Sequence, residues 1–406
     1  MTAPARVLVL QNRFLIGGGE RQTVLHLETI DRRAWEPVVA CLKLEGEHLD
    51  DLARLGVPAT ALGVTKLATP ALVLHVARLA ARVRRERVAV VHAQDFFTNV
   101  LGGLAARLAG VPVAVTRVDL AHALDPARRG LLAAISRLAS RVVVNALCIR
   151  DLCLRDGVAP DRIAVVRNGL DLPRFDAEAR AAPAGDALGG GGRWIVHVAN
   201  MHHPVKGQRD LLLALREVVR EAPDARLALV GDGVRRGALE RLARELGVAD
   251  RCTFLGARRD VPALLARAAL AVSASHAEGI SNAILEALAA RRAVVATAAG
   301  GTPEVVRDGV TGLLVAPGAP AQLAARIVTL LRDPGLARRL GEEGRAAVAQ
   351  DFGVEQMRQS YDALYRGLLA EAGRAPPRTQ RAGTFEVPPS GRTRDVSSGH
   401  ATVRAT

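Results

Sequence analysis

Short runs of β-branched and other apolar residues recur along the chain, and longer segments with helical spacing of apolar positions separate them. In the first half these runs predict strands at 6–10, 37–41, 88–92, 111–116, 141–145 and 163–168. Helix-length segments lie between them, at 20–30, 70–86, 97–109 and 126–139. Such an alternation of strand and helix predicts a parallel sheet that is covered by helices on both faces.

A glycine-containing stretch interrupts the alternation at residues 171–193. Its sequence, "DLPRFDAEARAAPAGDALGGGGR", has no apolar periodicity and includes a run of four glycines, as is typical of a linker. The alternation then restarts, with predicted strands at 194–199, 226–230, 252–256, 270–274, 293–297 and 312–315. The pattern therefore predicts an α/β protein of two doubly wound, Rossmann-like domains, over 1–170 and 194–350.

The end of the chain has two parts of different character. Residues 351–372 have the apolar spacing of a last amphipathic helix. The tail at 373–406 is rich in Arg, Pro, Ser and Thr and poor in apolar residues, so we expect it to be disordered. Because doubly wound sheets bind ligands beyond the carboxyl ends of their strands, the expected functional site is the cleft between the domains.

Composition narrows the class of partner. A length of 406 residues agrees with two domains, and the formal charge of +14 favours anions such as nucleotide phosphates or anionic lipid. Nucleic acid is not an expected partner, because aromatic residues are 3% of the chain and form no basic-aromatic platform. Four scattered cysteines predict neither a disulfide framework nor a zinc site, which fits a reduced cytoplasmic compartment. We expect no signal peptide and no membrane-spanning helix.

Two glycine turns follow predicted strands. Gly18 and Gly19, in "LQNRFLIGGGERQTV", allow close backbone approach to an anion at the start of a helix. The run departs from G-x-G-x-x-G, which argues against a dinucleotide site, and a tight turn without a ligand is the alternative. Gly231 and Gly233 form a second strand-to-helix turn.

Basic side chains lie beside two predicted helix starts. Arg235 and Arg236 follow the second glycine turn, where cations oppose the helix dipole unless an anion is bound nearby. Lys206, in "VANMHHPVKGQRDLL", is one of three lysines in the chain, and a compact ammonium group suits a diphosphate. The alternative is a solvated residue at the start of a helix. The adjacent His202 and His203 lack a third ligand at zinc spacing, so they predict no metal site.

The segment 276–306, "HAEGISNAILEALAARRAVVATAAGGTPEVV", holds three acids. Glu278 is expected in the loop beyond a strand, and the predicted N-cap Ser281-Asn282 places Glu286 in the second turn of a helix. Glu286 has apolar neighbours and therefore needs a partner. The pattern predicts that both acids face one bound polyol, with phosphate on the free N–H groups of residues 279–281. Glu304, after Gly300-Gly301, is the third acid; an ordinary helix-start acid would look the same.

These residues carry a resemblance to a known family. "EGISNAILEALA", followed by "AVVATAAGGTPEVVRDGVTGLLV", resembles the donor-site signature of the family 4 retaining glycosyltransferases, which have the two-Rossmann-domain B-type fold. Further segments resemble the family in the same order, over about residues 5 to 370: "GGGER", "RNGLD", "VKGQRDLLLAL", "LVGDGVRRGALERLARELGV" and "RCTFLGARRDVPALLARAALAVSAS".

The resemblance implies a nucleotide-sugar donor that is bound mainly by the second domain. Glu278 would contact sugar hydroxyls, Glu286 the ribose, and Lys206 the diphosphate, and these three form the expected catalytic set. The full set implied for donor binding is Gly18, Gly19, Asn200, Lys206, Gly231, Gly233, Arg235, Glu278, Gly279, Ile280, Ser281, Asn282, Glu286, Gly300, Gly301 and Glu304.

The implied activity is metal-independent, cofactor-free transfer of a hexose, with retention of anomeric configuration. The donor would be a UDP- or GDP-sugar, and the acceptor a growing glycan or lipid-linked sugar in polysaccharide or lipopolysaccharide synthesis. The sequence has no Asp-x-Asp pair for a metal. Two alternatives stay open, a nucleotide-sugar-binding protein without transfer activity and a nucleotide-sugar epimerase.

The chain departs from the family pattern at two places. Asn200 stands where members commonly have an Arg six positions before the lysine, which leaves Lys206 with Arg235 or a histidine to stabilise phosphate. In the first domain, Arg117, Asp119 and His122 occupy the region where many members have a histidine.

Membrane contact rests on a separate pattern. The segment 74–88, "LHVARLAARVRRERV", has Leu, Val and Ala on one face and Arg on the other, so it could lie on anionic lipid at the inner face of the cell membrane. An ordinary domain-covering helix with a solvated basic face is the favoured interpretation.

Overall fold

The chain forms two parallel β-sheets covered by helices in the computed structural model, which describes residues 3–64, 71–120, 124–181, 188–189, 191–375 and 377. This architecture confirms the predicted pair of doubly wound domains. All twelve predicted strands are present, most with ends within two residues of the predicted ones. The four cysteines are free.

The first sheet has seven strands in the order β3-β2-β1-β4-β5-β6-β7. Its strands are β1 (Ala5–Gln11), β2 (Trp35–Cys41), β3 (Ala59–Ala61), β4 (Val90–Ala93), β5 (Val113–Arg117), β6 (Arg141–Val144) and β7 (Ile163–Val165). The helices of this domain are α1 (Gly18–Thr29), α2 (Leu49–Arg54), α3 (Ala71–Arg85), α4 (Phe96–Ala109), α5 (Pro126–Leu138) and α6 (Leu147–Arg155). The sequence pattern missed β3 because three residues, Ala-Thr-Ala, give no apolar run.

The second sheet has six strands in the order β10-β9-β8-β11-β12-β13. They are β8 (Arg193–Val198), β9 (Ala225–Val230), β10 (Cys252–Gly256), β11 (Leu270–Ser273), β12 (Val294–Thr297) and β13 (Leu313–Val315). After a further helix between the sheets, α7 (Leu172–Ala181), the helices of this domain are α8 (Gln208–Glu221), α9 (Arg236–Glu245), α10 (Val261–Arg267), α11 (Asn282–Ala289), α12 (Thr302–Val305), α13 (Pro320–Arg332) and α14 (Pro334–Asp351).

The stretch predicted as a linker is partly helical, which corrects the prediction. Helix α7 occupies residues 172–181, and Phe175 is its one buried residue. A single apolar anchor gives too weak a periodicity to detect in the sequence. Residues 182–187 and 190 lie outside the described residues, as does nearly all of the tail that we expect to be disordered.

The last helix, α15 (Val354–Glu371), returns from the second domain to the first. Its Tyr365 is fully buried, and the hydroxyl is hydrogen-bonded to His26 Nε2 and to His92 Nδ1, each at 2.8 Å. On the same helix Asp362 accepts a hydrogen bond from Trp35 Nε1 at 2.7 Å. This cluster fixes α15 against α1 and β4.

Buried neutral histidines make stability depend on pH. Burial lowers the pKa of His26 well below its usual value, lowers that of His92 to about 3, and lowers that of His197 in β8 to about 4. The unfolded chain takes up these protons near pH 6.5, so stability present above that pH is lost as the pH falls toward the folded values. We therefore expect the free energy of unfolding to fall between pH 7 and pH 5, by about 2 kcal/mol for His92 alone.

Denaturant unfolding at pH 7 and pH 5 measures this loss. His92→Gln should show a pH-dependent loss that is smaller than that of the wild type by about the same 2 kcal/mol. The exposed His203 supplies the control, since His203→Gln should leave the pH dependence unchanged. An unchanged loss in His92→Gln would show that His92 is not the titrating group.

Candidate functional site

Lys206 and Glu278 form an ion pair beyond the carboxyl ends of β8 and β11. These strands are neighbours at the point where the order of the second sheet reverses, which is where such sheets bind ligands. The Nζ atom of Lys206 lies 2.6 Å from Oε1 of Glu278, and Ser275 Oγ donates to the same oxygen at 2.8 Å. The two charged side chains are 24% and 12% exposed, so the pair is shielded but still reachable.

The backbone around this pair holds the two loops together. Lys206 ends a short 3-10 turn, and Gly207 follows with a φ of +68°. A Cβ atom at Gly207 would overlap the carbonyl group of Ala274, so the close approach of the loops requires glycine. The N–H of His276 donates to the Val205 carbonyl at 2.7 Å. The lysine and the glutamate are therefore placed by backbone contacts, and not only by their mutual attraction.

The neighbouring loops contribute the other predicted residues on this side. Gly231 has a φ of +130°, and a Cβ there would overlap the Ala199 carbonyl; Gly233 packs in the same way on the Met201 backbone. Asn200 is exposed, and its Oδ1 accepts from the N–H of His202 at 3.3 Å. Arg236 is paired with Glu240, whereas Arg235 forms no ion pair within the described residues. Arg235 is thus the better placed of the two arginines for a bound anion.

Glu286 has different surroundings from Glu278. It is 5% exposed and pairs with Arg21 of the first domain, a partner that the sequence did not indicate. Burial raises the pKa of its carboxyl group, although the Arg21 charge acts in the opposite direction. No contact among the described residues joins Glu286 to Glu278. The prediction that both acids face one polyol therefore stays a prediction.

A cavity of about 240 Å³ lies beside Glu286. Its walls come from α1, α2, α7, α11 and residues 169–171, and they include Arg21, Asn282 and Glu286 but neither Lys206 nor Glu278. The Lys206–Glu278 pair, unlike this cavity, lies at the strand ends where such sheets bind ligands, and its catalytic role stays a prediction.

A polar network joins the two domains at the start of α11. Asn282 Nδ2 donates to the Gly18 carbonyl at 2.9 Å, and Asn282 Oδ1 accepts from Asn168 Nδ2 at 2.8 Å and Gln22 Nε2 at 3.1 Å. Gln22 also forms two hydrogen bonds with the Gly169 backbone. Gly18 and Gly19 begin α1, two residues before the predicted start. The network brings this glycine turn against the second domain, and its approach to a donor stays a prediction.

The loop after Glu278 presents free hydrogen-bond donors. The N–H groups of Gly279, Ile280 and Ser281 donate no hydrogen bond within the part of the chain that the structure describes. Ser281 occupies the predicted N-cap position of α11, but its side chain forms no capping hydrogen bond. Three free N–H groups at a helix start suit an anion.

Gly279 sits so close to the first domain that a side chain has no room. A Cβ atom there would overlap the Val118 carbonyl and lie 2.8 Å from Asn145 Oδ1. Gly301, which is packed against Gly279 and Ala146, is similarly enclosed. The loops after β5 and β6 thus meet those after β11 and β12.

We expect Gly279→Ala to lower transfer or ligand binding by at least about tenfold, because the added methyl group forces the domains apart and a small displacement of reacting groups is costly. Steady-state kinetics and the thermal unfolding midpoint would measure the two effects. Gly367→Ala in α15 is the matched control, since nothing lies within 4 Å of a Cβ at that position. Normal kinetics in Gly279→Ala would show that the domains do not need this close approach.

Glu304 contacts the first domain in this structure. Its Oε1 accepts from the N–H groups of Leu147 and Cys148 at 2.7 and 3.2 Å, which caps the start of α6. Its other oxygen lies 3.7 Å from Arg167 Nη2. Gly300, with a φ of +56°, and Gly301 lie against the backbone of Glu278. We interpret the Gly-Gly-x-x-Glu segment as a support for the Glu278 loop and a domain contact, and its contact with donor stays a prediction.

Of the three first-domain residues in the region of the family's usual histidine, two lie within the described residues. Arg117 is 5% exposed and pairs with Asp156 at 2.7 Å, so its guanidinium group points into the domain and is not offered to the cleft. Asp119 is exposed, and His122 lies outside the described residues. In the described ranges no three His, Cys, Asp or Glu side chains form a cluster that could hold a metal ion. No described helix is long and apolar enough to cross a membrane.

Sequence reasoning missed several residues of this site. Ser275 stands three residues before Glu278, at a strand end, and that position was a usable signal. Arg21 and Gln22 lie in the quoted glycine segment, and Asn168 lies in "RNGLD", but their partners are more than a hundred residues away. Nothing in one sequence pairs them.

Known proteins similar to this chain agree on a family. The family model described as Glycosyltransferase Family 4 matches residues 16–174, and the one described as Glycosyl transferases group 1 matches residues 192–333. D-inositol 3-phosphate glycosyltransferase of Segniliparus rotundus is 32% identical over 318 residues, which cover 73% of this chain and 70% of the relative. N-acetyl-alpha-D-glucosaminyl L-malate synthase of Bacillus anthracis is 34% identical over 177 residues, 44% of this chain and 46% of that protein's length.

Solved structures share the fold. HepE of Anabaena in complex with UDP-glucose has a TM-score of 0.78 at 23% identity, covering 88% of this chain and 99% of that one. Sucrose-phosphate synthase from Thermosynechococcus elongatus has a TM-score of 0.75 at 22% identity, covering 90% of this chain and 100% of that one. With the two family models and the relative from Segniliparus, the chain belongs to the family 4 glycosyltransferases, the glycosyl transferases group 1, and has their B-type fold.

Proposed function

We propose that the protein transfers a sugar from a nucleotide-sugar donor to a glycan or lipid-linked acceptor. The observation that carries the proposal is the Lys206–Glu278 pair beside the free N–H groups of residues 279–281. A cation and N–H donors suit a diphosphate, and a shielded carboxylate suits sugar hydroxyls. The UDP and UDP-glucose complexes of HepE support this donor class.

In the proposed reaction the main requirement is stabilisation of the leaving diphosphate. Negative charge develops on its oxygen as the bond to the sugar breaks, and Lys206 with the loop N–H groups stabilises that charge. Glu278 gives up its ion pair with Lys206 and accepts hydrogen bonds from sugar hydroxyls. The hydrogen bond from Ser275 continues to orient the Glu278 carboxylate. Arg235 offers a second cation in place of the arginine that Asn200 replaces. The acceptor attacks on the face from which the diphosphate leaves, so configuration is retained.

We expect EDTA to leave the transfer rate unchanged, because charge neutralisation falls on protein cations. Activity of the enzyme before and after chelation and gel filtration measures this. Restoration of activity by an added divalent cation alone would contradict the metal-independent part of the proposal.

A thermal-shift screen against UDP-, GDP- and ADP-sugars tests the donor class. A ligand at 100 times its Kd stabilises the folded protein by about 2.7 kcal/mol, which raises the unfolding midpoint measurably. We expect one nucleotide class to do so, and no response to any of them would contradict the proposal. An epimerase would convert the donor without acceptor, and a binding protein would bind it without turnover, so product analysis separates these alternatives.

We propose that the reaction takes place in the cytoplasm. We also propose that the protein contacts the inner face of the cell membrane peripherally. In α3, Leu79, Ala80 and Val83 are buried, which supports the covering-helix interpretation for that face. The outward side includes Arg84 and Arg85, so attraction of this helix to lipid would be electrostatic.

A further inference from the structure

Six large apolar side chains are exposed along the carboxyl edge of the first sheet. They follow four strands that are adjacent in the order β3-β2-β1-β4. We call this set the apolar rim, and it consists of Val73 (68% exposed), Leu74 (51%), Leu44 (46%), Leu15 (43%), Ile16 (46%) and Phe97 (39%). Exposed apolar side chains are ordinary when they are single, whereas a row along one sheet edge indicates an interaction site.

The loops that carry the rim are held in place. The N–H of Phe14 donates to the Glu45 carbonyl at 2.9 Å, and the N–H of His48 donates to the Phe14 carbonyl at 3.0 Å. The N–H of Asn12 donates to Asp95 Oδ2 at 2.7 Å, which joins the β1 loop to the start of α4. Phe14 is fully buried beside the exposed Leu15. The exposure of Leu15 therefore belongs to an ordered loop in which Phe14 anchors the backbone, while Val73, Leu74 and Phe97 lie in the first turns of α3 and α4.

The rim lies on the acceptor side of the cleft. The β1 loop that carries Leu15 and Ile16 continues into Gly18, whose carbonyl accepts from Asn282 of the second domain. Lys43, beside Leu44, is exposed and forms no ion pair within the described ranges, whereas Arg13 is paired with Glu45 at 2.8 Å. The Lys43 ammonium group, next in sequence to the exposed Leu44, complements an anionic headgroup on an apolar chain.

We propose that the apolar rim binds the hydrocarbon chain of an amphiphilic acceptor that carries a phosphate, with Lys43 at the phosphate and the acceptor sugar in the cleft. This inference rests on the proposed function and names its acceptor class. A purely hydrophilic glycan would leave the six apolar side chains in water. In the reaction the acceptor hydroxyl oxygen forms a bond to C1 of the donor sugar. The bond from C1 to the diphosphate oxygen breaks, and the nucleoside diphosphate takes that electron pair and the hydroxyl proton.

Paired acceptors test the inference. With the donor found in the thermal-shift screen, KM is measured for the same sugars as methyl and as octyl glycosides, below the micelle concentration. We expect the octyl compounds to have KM values at least about tenfold lower. In the double variant Leu15→Ser, Leu44→Ser the ratio should fall to near one. Leu108→Ser is the matched control, since Leu108 is 51% exposed near the far end of α4 and should keep the ratio.

A separate variant tests the contact of Lys43 with the acceptor phosphate. Lys43→Ala should raise KM for an octyl-phosphate-linked sugar by about tenfold and leave the neutral octyl glycoside unaffected. Equal effects on both acceptors would overturn the role of Lys43.

Three results would overturn the rim assignment. One is transfer with the same KM for methyl and octyl acceptors, and another is an unchanged ratio in the double variant. The third is binding of acceptor-free anionic phospholipid vesicles that the double variant loses, with no chain-length effect on KM, because the rim would then contact the bilayer. Each of these leaves donor binding and transfer intact. Failure of the proposed function differs, since no nucleotide-sugar would then shift the unfolding midpoint.

Discussion

Lys206→Ala is expected to lower kcat for sugar transfer by at least about 100-fold, the size of effect seen when one preorganised charge-stabilising group is removed. The ammonium group lies 2.6 Å from Glu278 at the end of β8, and no arginine stands at position 200 to share the work. The loss should fall on kcat more than on KM, because charge on the leaving diphosphate grows in the transition state. Steady-state kinetics with the donor found in the thermal-shift screen measures the change in kcat and in KM.

Arg209→Ala is the control for that variant. It removes one positive charge three residues away, from an exposed side chain that forms no ion pair in the described part of the chain. We expect its kinetics to match the wild type. A Lys206→Ala enzyme within about threefold of wild-type kcat would remove Lys206 from the catalytic set.

Glu286→Ala is expected to lower kcat/KM by at least about 100-fold, through loss of the carboxylate that the resemblance assigns to the donor ribose. The structure adds a competing explanation, since Glu286 pairs with Arg21 across the cleft and could serve only to hold the domains together. Arg21→Ala distinguishes them. If Glu286 binds ribose, Arg21→Ala keeps most of the activity, because Arg21 is the half-exposed partner and the Glu286 carboxyl group stays in place to contact the ribose.

Stability measurements complete the comparison. Burial raises the pKa of the Glu286 carboxyl group, and its partner Arg21 is 40% exposed and can be hydrated alone, so Glu286→Gln should not lower the free energy of unfolding. Its kcat/KM should still fall, since an amide is a weaker acceptor for hydroxyl hydrogens than a carboxylate. Equal losses of activity in Arg21→Ala and Glu286→Ala would contradict the ribose assignment. They would favour a role of the ion pair in holding the two domains together.

The fold was predictable because its parallel strands are buried on both faces. Runs such as "RVLVL" and "AVVAT" hold four consecutive apolar residues each, so they mark the strands without any periodicity. Helix α7 was missed because one residue, Phe175, anchors it, and β3 because it is three residues long. Elements with few buried side chains leave little trace in the sequence.

The site was predictable only in part. The position of Lys206 and Glu278 beyond their strands followed from the local pattern, but their pairing follows from the adjacency of β8 and β11, which is a property of strand order. The partners of Glu286 and Glu304 come from the other domain, at Arg21 and at the start of α6. Contacts between residues so distant in sequence depend on how the domains meet.

Product analysis with the donor found in the thermal-shift screen and a panel of acceptors tests whether the protein transfers a sugar with retention of configuration. Mass spectrometry and NMR would follow the acceptor, the nucleotide and the anomeric configuration in one reaction. We expect an acceptor heavier by one sugar, an equal amount of nucleoside diphosphate, and the donor's anomeric configuration in the new linkage. Donor that is bound but never transferred, or that is isomerised without an acceptor, would contradict this expectation.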